Sequence, residues 1–268
     1  MQWSDLLSRP RPKATERINY GTDPNQFGDL WRPDGPDLHP LVIMIHGGCW
    51  TASIADLSIM DWAAEDLRQR GYLVWNVEYR RLGQPGGGYP GTYDDIRAAV
   101  NFAYNRPEFR TDPEWRTTVL LGHSAGGHLA LWAAGQTDED WPNLTGVVAL
   151  GAITDLEHDT DTACGAEAPA LMLGPKSVER PQPAETTSPC QMAPLPVPAI
   201  LITGVDDTTV PLAAAQRYKI YAEDVGALPR PVQVIAPPGG HVEEITPGTA
   251  AWAEVIEALA RLRRDAHP

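Results

Sequence analysis

The sequence predicts an α/β domain with a mainly parallel sheet, and two of its patterns carry this prediction. Short apolar runs, rich in β-branched residues and mostly free of charge, recur along the chain, which is typical of strands buried on both faces. Between them lie longer segments with apolar residues at helical spacing. Strands and helices that alternate through short connections favour a parallel sheet with helices on both of its faces.

The predicted elements follow one another in chain order. An antiparallel edge strand is predicted at 27–31, and buried strands at 41–45, 72–77, 118–121, 146–150, 199–203 and 232–235. Helices are predicted at about 54–69, 93–105, 125–135, 211–225 and 249–264. In the first of these helices the apolar residues recur at helical spacing, at Leu57, Met60, Ala64 and Leu67. Gly71 then supplies the stop at its C-terminal end.

Residues 155–198 interrupt this alternation. Six prolines lie within 181–198, beginning with Pro181, and they disfavour long regular elements there. A connection of this length inside a compact domain is usually functional or disordered. We therefore predict a single domain over residues 1–268, with a small Pro-rich lid or insertion at about 155–198 rather than a second domain.

Composition and charge exclude several classes of protein. The chain has 268 residues, of which 43% are hydrophobic, and this is enough for a substantial core. Its formal net charge of −14 repels phosphate backbones and anionic lipid, so we expect neither nucleic-acid nor membrane partners. No basic leader followed by an apolar run is visible at the N-terminus, and no apolar run approaches the ~20 residues of a membrane-spanning helix.

The cysteines are sparse and odd in number, which does not indicate a disulfide framework: Cys49, Cys164 and Cys190. Cys164 and Cys190 could pair across the irregular segment, but the interpretation we favour is free thiols in a reducing cytosol. We therefore expect a cytoplasmic protein. No spacing of cysteine and histidine resembles a zinc site, and we predict neither a metal nor a cofactor.

The most informative motif is Gly122-His-Ser-Ala-Gly126, which follows one predicted strand and runs directly into a predicted helix. A serine on so sharp a turn needs small neighbours two residues before and after it, because the backbone there is strained and closely packed. This is the nucleophile-elbow arrangement, and it predicts Ser124 as a nucleophile. The alternative is a glycine-flanked turn serine without a catalytic role.

A serine hydroxyl is a weak nucleophile and needs a base that a carboxylate orients, in the chain order serine, acid, histidine on this scaffold. After Ser124, His241 is the histidine that follows the last predicted strand, through a Pro-Gly loop that can reach back over the sheet edge. The other candidates lie on the helix after the elbow, in the irregular segment and at the chain end: His128, His158 and His267. Position and elimination therefore favour His241 as the base.

The acid is expected just past the C-terminal end of a strand, and Asp206 and Asp207 both follow the strand predicted at 199–203. We prefer Asp207, because its place in Gly-x-x-Asp-x-x-Val-Pro puts the carboxylate at the turn before the next helix. Asp206 is then interpreted as a turn or capping residue. Asp155, just past the preceding strand, is the remaining alternative.

Acyl transfer also needs donors for the developing oxyanion. The sequence His46-Gly-Gly-Cys-Trp50 leaves a predicted strand, and we predict donation from the backbone N–H groups of Gly48, Cys49 and Ala125. Cys49 is interpreted as a small side chain beside the site rather than a reactive thiol, which would need its own base. Trp50 either lines the substrate pocket or packs under the loop. Tyr79 either reaches the pocket or is a structural residue at a strand end; both residues are candidates for substrate binding.

Together these residues and Tyr79-Arg80 resemble the α/β-hydrolase superfamily, in the branch of small carboxylesterases with a His-Gly-Gly-x-Trp oxyanion loop, a neighbourhood that includes kynurenine formamidase (arylformamidase). Residues 16–31 are similar to the opening of bacterial formamidase-like and esterase-like members. The resemblance runs from about residue 16 to 262 and is weakest over 155–198. It implies a Ser-His-Asp triad and no cofactor, but not a substrate, because one fold hosts many chemistries.

These observations predict a serine hydrolase that cleaves short-chain or aryl carboxylic esters through an acyl-enzyme. The alternatives are an arylformamidase acting on N-formylkynurenine, a serine peptidase for short peptides, and a catalytically dead receptor or scaffold, which should lack a triad residue. The expected partner is a small-molecule ester or formamide, and the sequence leaves a homodimer open.

Overall fold

The computed structural model describes residues 1–35, 39–109, 117–159, 162–177, 183–224 and 231–266. Within these ranges one sheet of eight strands forms the centre of the chain, in the order β1-β2-β4-β3-β5-β6-β7-β8. The strands are β1 (Glu16–Asn19), β2 (Phe27–Trp31), β3 (Leu41–Ile45), β4 (Leu73–Val77), β5 (Thr118–His123), β6 (Gly146–Leu150), β7 (Ala199–Ile202) and β8 (Val232–Ile235). β2 is antiparallel to both β1 and β4, and the remaining pairs are parallel.

The helices of the described residues are α1 (Trp3–Leu7), α2 (Asp61–Gln69), α3 (Gly91–Asn105), α4 (Ala125–Ala134), α5 (Glu167–Leu173), α6 (Ala184–Thr187), α7 (Pro189–Met192), α8 (Leu212–Asp224) and α9 (Ala250–Asp265). Single 3-10 turns occur at Leu57–Met60, Pro107–Phe109 and Glu243–Ile245. Among these residues, no helix is both long enough and apolar enough to cross a membrane.

Two hydrophobic cores cover the two faces of the sheet, as the alternation of strands and helices predicts. α3, α4 and α8 pack on one face, where Ile43 of β3 lies, and α2 and α9 pack on the other, where Val42 and Met44 lie. Every residue of β3 is therefore buried. This explains why the central strands are continuous apolar runs without a polar face.

Most predicted elements match the structure to within a few residues, and three differ. β2 is antiparallel as predicted, but β1 lies outside it and forms the edge of the sheet. The helix predicted at 54–69 begins as a 3-10 turn, where the Asp56 carboxylate caps the Ser58 N–H at 2.9 Å, and continues as α2. α1 was not predicted, because a helix of five residues has too little periodicity to detect. Position 225, the end of another predicted helix, lies outside the described residues.

In its described residues, the segment predicted to be irregular carries short helices, α5, α6 and α7, as its prolines indicate. Residues 160–161 and 178–182, with Pro181, lie outside the described part of the chain. Whether 155–198 acts as a lid within a single domain stays a prediction.

The prediction of free thiols is wrong for two of the three cysteines. Cys49 and Cys164 form a disulfide with a Cα–Cα distance of 5.2 Å, whereas Cys190 is free and buried. The bond joins the loop after β3 to the 155–198 segment across 115 positions. Disulfides persist in oxidising environments. The expectation of a cytoplasmic location rested on free thiols and is therefore not carried forward.

Candidate active site

Ser124 lies at the turn between β5 and α4 with φ 57° and ψ −123°, a backbone conformation that non-glycine residues rarely adopt. The flanking glycines explain how the turn closes. A Cβ on Gly122 would lie 2.1 Å from the Gly126 carbonyl oxygen, and one on Gly126 would lie 2.2 Å from the Ile45 carbonyl oxygen. The spacing of small residues around Ser124 is therefore a steric requirement of a strained elbow, as predicted.

His241 and Asp207 are in direct contact, as predicted from the sequence. His241 Nδ1 donates a hydrogen bond to Asp207 Oδ2 at 2.7 Å, and both side chains are buried. Asp207 Oδ1 accepts from the backbone N–H groups of Thr209 and Val210 at 2.7 and 2.9 Å. These bonds hold the carboxylate in place. With Nδ1 donating to Asp207, Nε2 is the ring nitrogen that remains for a general base to use.

The other aspartates and histidines considered as catalytic residues do not take part in the Asp207–His241 pair. Asp206 is exposed, and the buried Asp155 carboxylate accepts from His158 Nδ1 at 3.0 Å instead of from His241. His128 is fully buried in α4 and donates through Nε2 to the Thr187 carbonyl at 2.8 Å. His267 lies outside the described residues.

The loop after β3 presents backbone N–H groups beside Ser124. Gly48 and Cys49 have φ of 102° and 50°, and both line the same cavity as Ser124. In the described part of the chain the N–H groups of Gly48, Cys49 and Ala125 donate no hydrogen bond to another residue. Among these residues they have no partner that would compete with a substrate oxygen, and their role as oxyanion donors stays a prediction.

A buried polar network supports this loop from behind. Glu78 Oε1 lies 3.0 Å from His46 Nε2 and 3.2 Å from Arg81 Nε, and Glu78 Oε2 accepts from the Leu57 N–H at 3.2 Å. Burial alone would raise the pKa of Glu78, but the nearby His46 and Arg81 outweigh it and hold that pKa below its usual value. The loop is therefore anchored by an ionised carboxylate.

The two predicted substrate-binding residues do not line this cavity, and their prediction is corrected. Tyr79 is fully buried, stacks on the His46 ring at a centroid distance of 4.5 Å and donates from its hydroxyl to the His46 carbonyl at 2.9 Å. Trp50 is also fully buried and packs edge-on against His128 at 5.1 Å. Tyr79 therefore supports the loop after β3 from the core side, and Trp50, which has φ of 53°, packs into the core.

A cavity of about 410 Å³ contains Ser124 and His241 in its lining. Much of its wall is apolar and comes from residues that sequence reasoning missed: Trp3, Leu7, Ile54 and Ile59. Trp3 and Leu7 belong to α1, and the Trp3 ring meets the His123 ring edge-on at 6.2 Å. The available signal in the sequence was a large apolar residue at each end of these five residues. A segment this short does not by itself indicate a cavity wall.

A cluster of possible metal ligands also lies beside Ser124. Within the described residues, one ligand atom each of His123, His241 and Glu244 falls within 4.8 Å of the others. However, His241 Nδ1 donates to Asp207, and His123 Nε2 donates to the His241 carbonyl at 3.0 Å. The nitrogens nearest Glu244 therefore carry protons rather than free lone pairs, and we assign no metal to this cluster.

The buried His128 predicts a loss of stability in acid. Burial lowers the pKa of His128 from 6.5 to about 4. Between these two values the imidazole is protonated in the unfolded chain but not in the folded one. Stability from this group is present above pH 6.5 and is lost as the pH falls toward 4, by about 3 kcal/mol in all. Urea unfolding of His128→Gln, whose amide can still donate to Thr187, should show a smaller acid loss than the wild type. Equal losses in the two proteins would contradict this.

The mostly parallel eight-stranded sheet, with a strained serine after β5, an aspartate after β7 and a histidine after β8, defines the α/β-hydrolase fold. The chain belongs to the BD-FAE family, whose model it matches over residues 29–220, a range that includes Ser124 and Asp207 but ends before His241.

Two curated relatives and one solved structure are similar to this chain. It is 30% identical over 149 residues to gibberellin receptor GID1A of Arabidopsis thaliana. This alignment covers 54% of this chain and 41% of the receptor. It is also 30% identical over 147 residues to esterase LipC of Mycobacterium tuberculosis (strain ATCC 25618 / H37Rv), covering 53% of this chain and 34% of the esterase. The chain thus matches less than half the length of either relative. A truncated carbohydrate esterase from gut microbiota has the same fold, with a TM-score of 0.73, 19% identity, and 96% and 98% of the two chains covered.

Proposed function

We propose that the protein is a serine hydrolase that cleaves carboxylic esters, with Ser124 as nucleophile, His241 as general base and Asp207 as the orienting acid. The observation that carries this proposal is the 2.7 Å hydrogen bond from His241 Nδ1 to the buried Asp207, made by a ring that lines the same cavity as the strained Ser124. A histidine whose Nδ1 is held this way keeps Nε2 for a nucleophile. Among the described residues no hydrogen bond joins Ser124 to His241, and such a catalytic bond commonly tightens only once substrate is bound.

The reaction then follows in two steps. Ser124 Oγ attacks the ester carbonyl while His241 Nε2 takes the serine proton. The N–H groups of Gly48, Cys49 and Ala125 donate hydrogen bonds to the carbonyl oxygen as it becomes negatively charged. His241 passes the proton to the departing alcohol, which leaves an acyl group on Ser124. His241 then takes a proton from water while the water oxygen attacks the acyl carbonyl. The bond between this carbonyl carbon and Ser124 Oγ breaks, His241 returns the proton to Oγ, and the acid leaves.

The cavity favours a small apolar group next to the reacting carbonyl. The side chains of Trp3, Leu7 and Ile54 in the wall of this cavity of about 410 Å³ support a short-chain or aryl group beside the reacting carbonyl. The named activities of LipC and of the gut-microbiota carbohydrate esterase support an ester substrate. An arylformamidase, a short-peptide peptidase and a homodimer stay predictions.

The test is a panel of p-nitrophenyl esters from acetate to decanoate, run beside N-formylkynurenine and an acetylated sugar. We expect kcat/KM to be highest at acetate to butyrate and to fall at least tenfold by decanoate, because a long flexible chain loses more conformational freedom when it is bound. Turnover of N-formylkynurenine that exceeds that of the butyrate ester by orders of magnitude would overturn the ester proposal in favour of the formamidase.

A receptor without hydrolytic activity is the second candidate, because GID1A is named a receptor. An organophosphonate separates the two: a hydrolase becomes phosphonylated at Ser124, as peptide mass spectrometry would detect. A folded protein that neither reacts with the phosphonate nor turns over any ester would favour the receptor.

A further inference from the structure

A second carboxyl group lies against the Asp207–His241 pair and has no part in the mechanism above. Glu244 is in the 3-10 turn Glu243–Ile245, three residues after His241, and is fully buried. Its Oε1 accepts from the Gly204 N–H at 2.9 Å, and its Oε2 lies 3.7 Å from His241 Nδ1. The i, i+3 spacing from His241 was the signal in the sequence that could have revealed it.

The Glu244 side chain is closed off from the protein surface. A Cβ on Gly151 would lie 2.3 Å from Glu244 Oε2 and 2.7 Å from His241 Nδ1, so the Gly151 backbone closes this side. The titratable groups that face the carboxyl are His123, with Nε2 at 3.7 Å from Oε2, together with His241, Asp207 and the neighbouring Glu243. Among the described residues no lysine or arginine pairs with Glu244.

Two ionised carboxylates side by side in a dry pocket are strongly disfavoured, and the pocket stabilises only one of them. The Asp207 carboxylate accepts hydrogen bonds from two backbone N–H groups and from His241. The Glu244 carboxyl accepts one, from a backbone N–H to Oε1. If Glu244 were ionised, its Oε2 would have no hydrogen-bond donor. Burial and then the charge of Asp207 raise the pKa of Glu244 well above its usual value. The proton is therefore assigned to Glu244, whose Oε2 lies 3.7 Å from the same His241 Nδ1 that donates to Asp207 at 2.7 Å.

We propose that Glu244 is a positioning residue that stays a neutral carboxylic acid, donates a hydrogen bond from Oε2 to the Asp207 carboxylate and so orients the Asp207–His241 pair. This inference rests on the proposed function for its catalytic consequence only. A neutral donor fixes Asp207 without adding a negative charge next to His241, whereas an ionised Glu244 would raise the basicity of His241.

The catalytic test compares Glu244→Leu with the conservative Glu244→Gln, whose amide is neutral and can donate to Asp207. We expect Leu to lower kcat about tenfold to a hundredfold with KM nearly unchanged. We expect Gln to restore kcat to within about threefold and to keep the acidic limb of the kcat/KM–pH profile in place. An acidic limb that moves down by a pH unit or more in Glu244→Gln would mean that an anion was removed, and would overturn the inference.

A second measurement needs no turnover and can be made in the Ser124→Ala background. A group whose folded pKa is raised contributes stability below its unfolded pKa of 4.5, and this stability is lost as the pH rises toward the folded value. The melting temperature of Glu244→Gln relative to the parent should therefore increase steadily above pH 4.5. Glu243→Gln, at a carboxylate that pairs with the Met1 ammonium at 2.5 Å, is the matched control and should show no such increase.

The two measurements separate the possible failures. If the protein is inactive but the melting temperature of Glu244→Gln relative to its parent still increases with pH, the proposed function is refuted and the neutral Glu244 is supported. An active protein whose melting difference is flat with pH would refute the neutral carboxyl and leave the hydrolase standing.

Discussion

Ser124→Ala is expected to lower ester hydrolysis by on the order of 10⁴- to 10⁶-fold while the protein stays folded. The reason is that the variant has no hydroxyl at the elbow to form the acyl-enzyme, and the proposed oxyanion donors bind the carbonyl without attacking it. Initial rates on p-nitrophenyl acetate, with circular dichroism as the check on folding, measure the effect.

Ser58→Ala is the control for this substitution, because Ser58 lies in a 3-10 turn outside the cavity and should keep full activity and full phosphonate labelling. Retention of more than about a tenth of the wild-type rate by folded Ser124→Ala would refute Ser124 as the nucleophile. Loss of the rate in Ser58→Ala as well would point to a general effect of substitution.

Loss of the Cys49–Cys164 disulfide is expected to lower the free energy of unfolding by roughly 3–5 kcal/mol. The bond closes a loop of 115 positions, and a cross-link over so long a loop removes much of the conformational entropy of the unfolded chain. Guanidinium unfolding of the wild type and of the Cys49→Ser, Cys164→Ser double variant, each with and without reductant, measures the difference.

The double variant should be insensitive to reductant, whereas Cys190→Ala, at the free cysteine, should remain as sensitive as the wild type. Thiol titration of the unreduced, denatured wild type should find one thiol where the reduced chain has three. Three thiols before reduction, with equal unfolding midpoints in both buffers, would contradict the bond.

The same bond affects the site directly, since Cys49 lines the cavity and Ala163, next to Cys164, lines it too. One covalent link therefore holds the predicted oxyanion loop against the 155–198 segment. It also accounts for the cysteine in the His-Gly-Gly-Cys-Trp loop, where the sequence indicated only a small side chain.

Features with local causes could be predicted from the sequence. The buried parallel strands were recognisable because a strand covered on both faces must be apolar throughout. The elbow was recognisable because its glycines are required by contacts within a few residues of Ser124 and with the adjacent strand. Asp207 could be preferred to Asp206 because its place in Gly-x-x-Asp-x-x-Val-Pro puts the carboxylate at the turn before the next helix. His241 could be preferred to the other histidines because it follows the last predicted strand through a loop that can reach back over the sheet edge.

Features that depend on contacts between distant segments needed the tertiary structure. Spacing does not indicate which cysteine Cys49 meets, since the partner depends on the path of the 155–198 segment. The sequence did not reveal that α1 forms part of the cavity wall, or that Trp50 and Tyr79 face the core.

Taken by itself, the sequence determined the sheet, the elbow and the three side chains proposed for catalysis, because hydrophobic pattern, glycine spacing and chain order are properties of neighbouring residues. The tertiary structure alone decided the disulfide, the cavity wall and the second carboxyl at Asp207. These arise where separate segments pack against each other, and the burial and charge that set the protonation of Glu244 exist only once those segments have met.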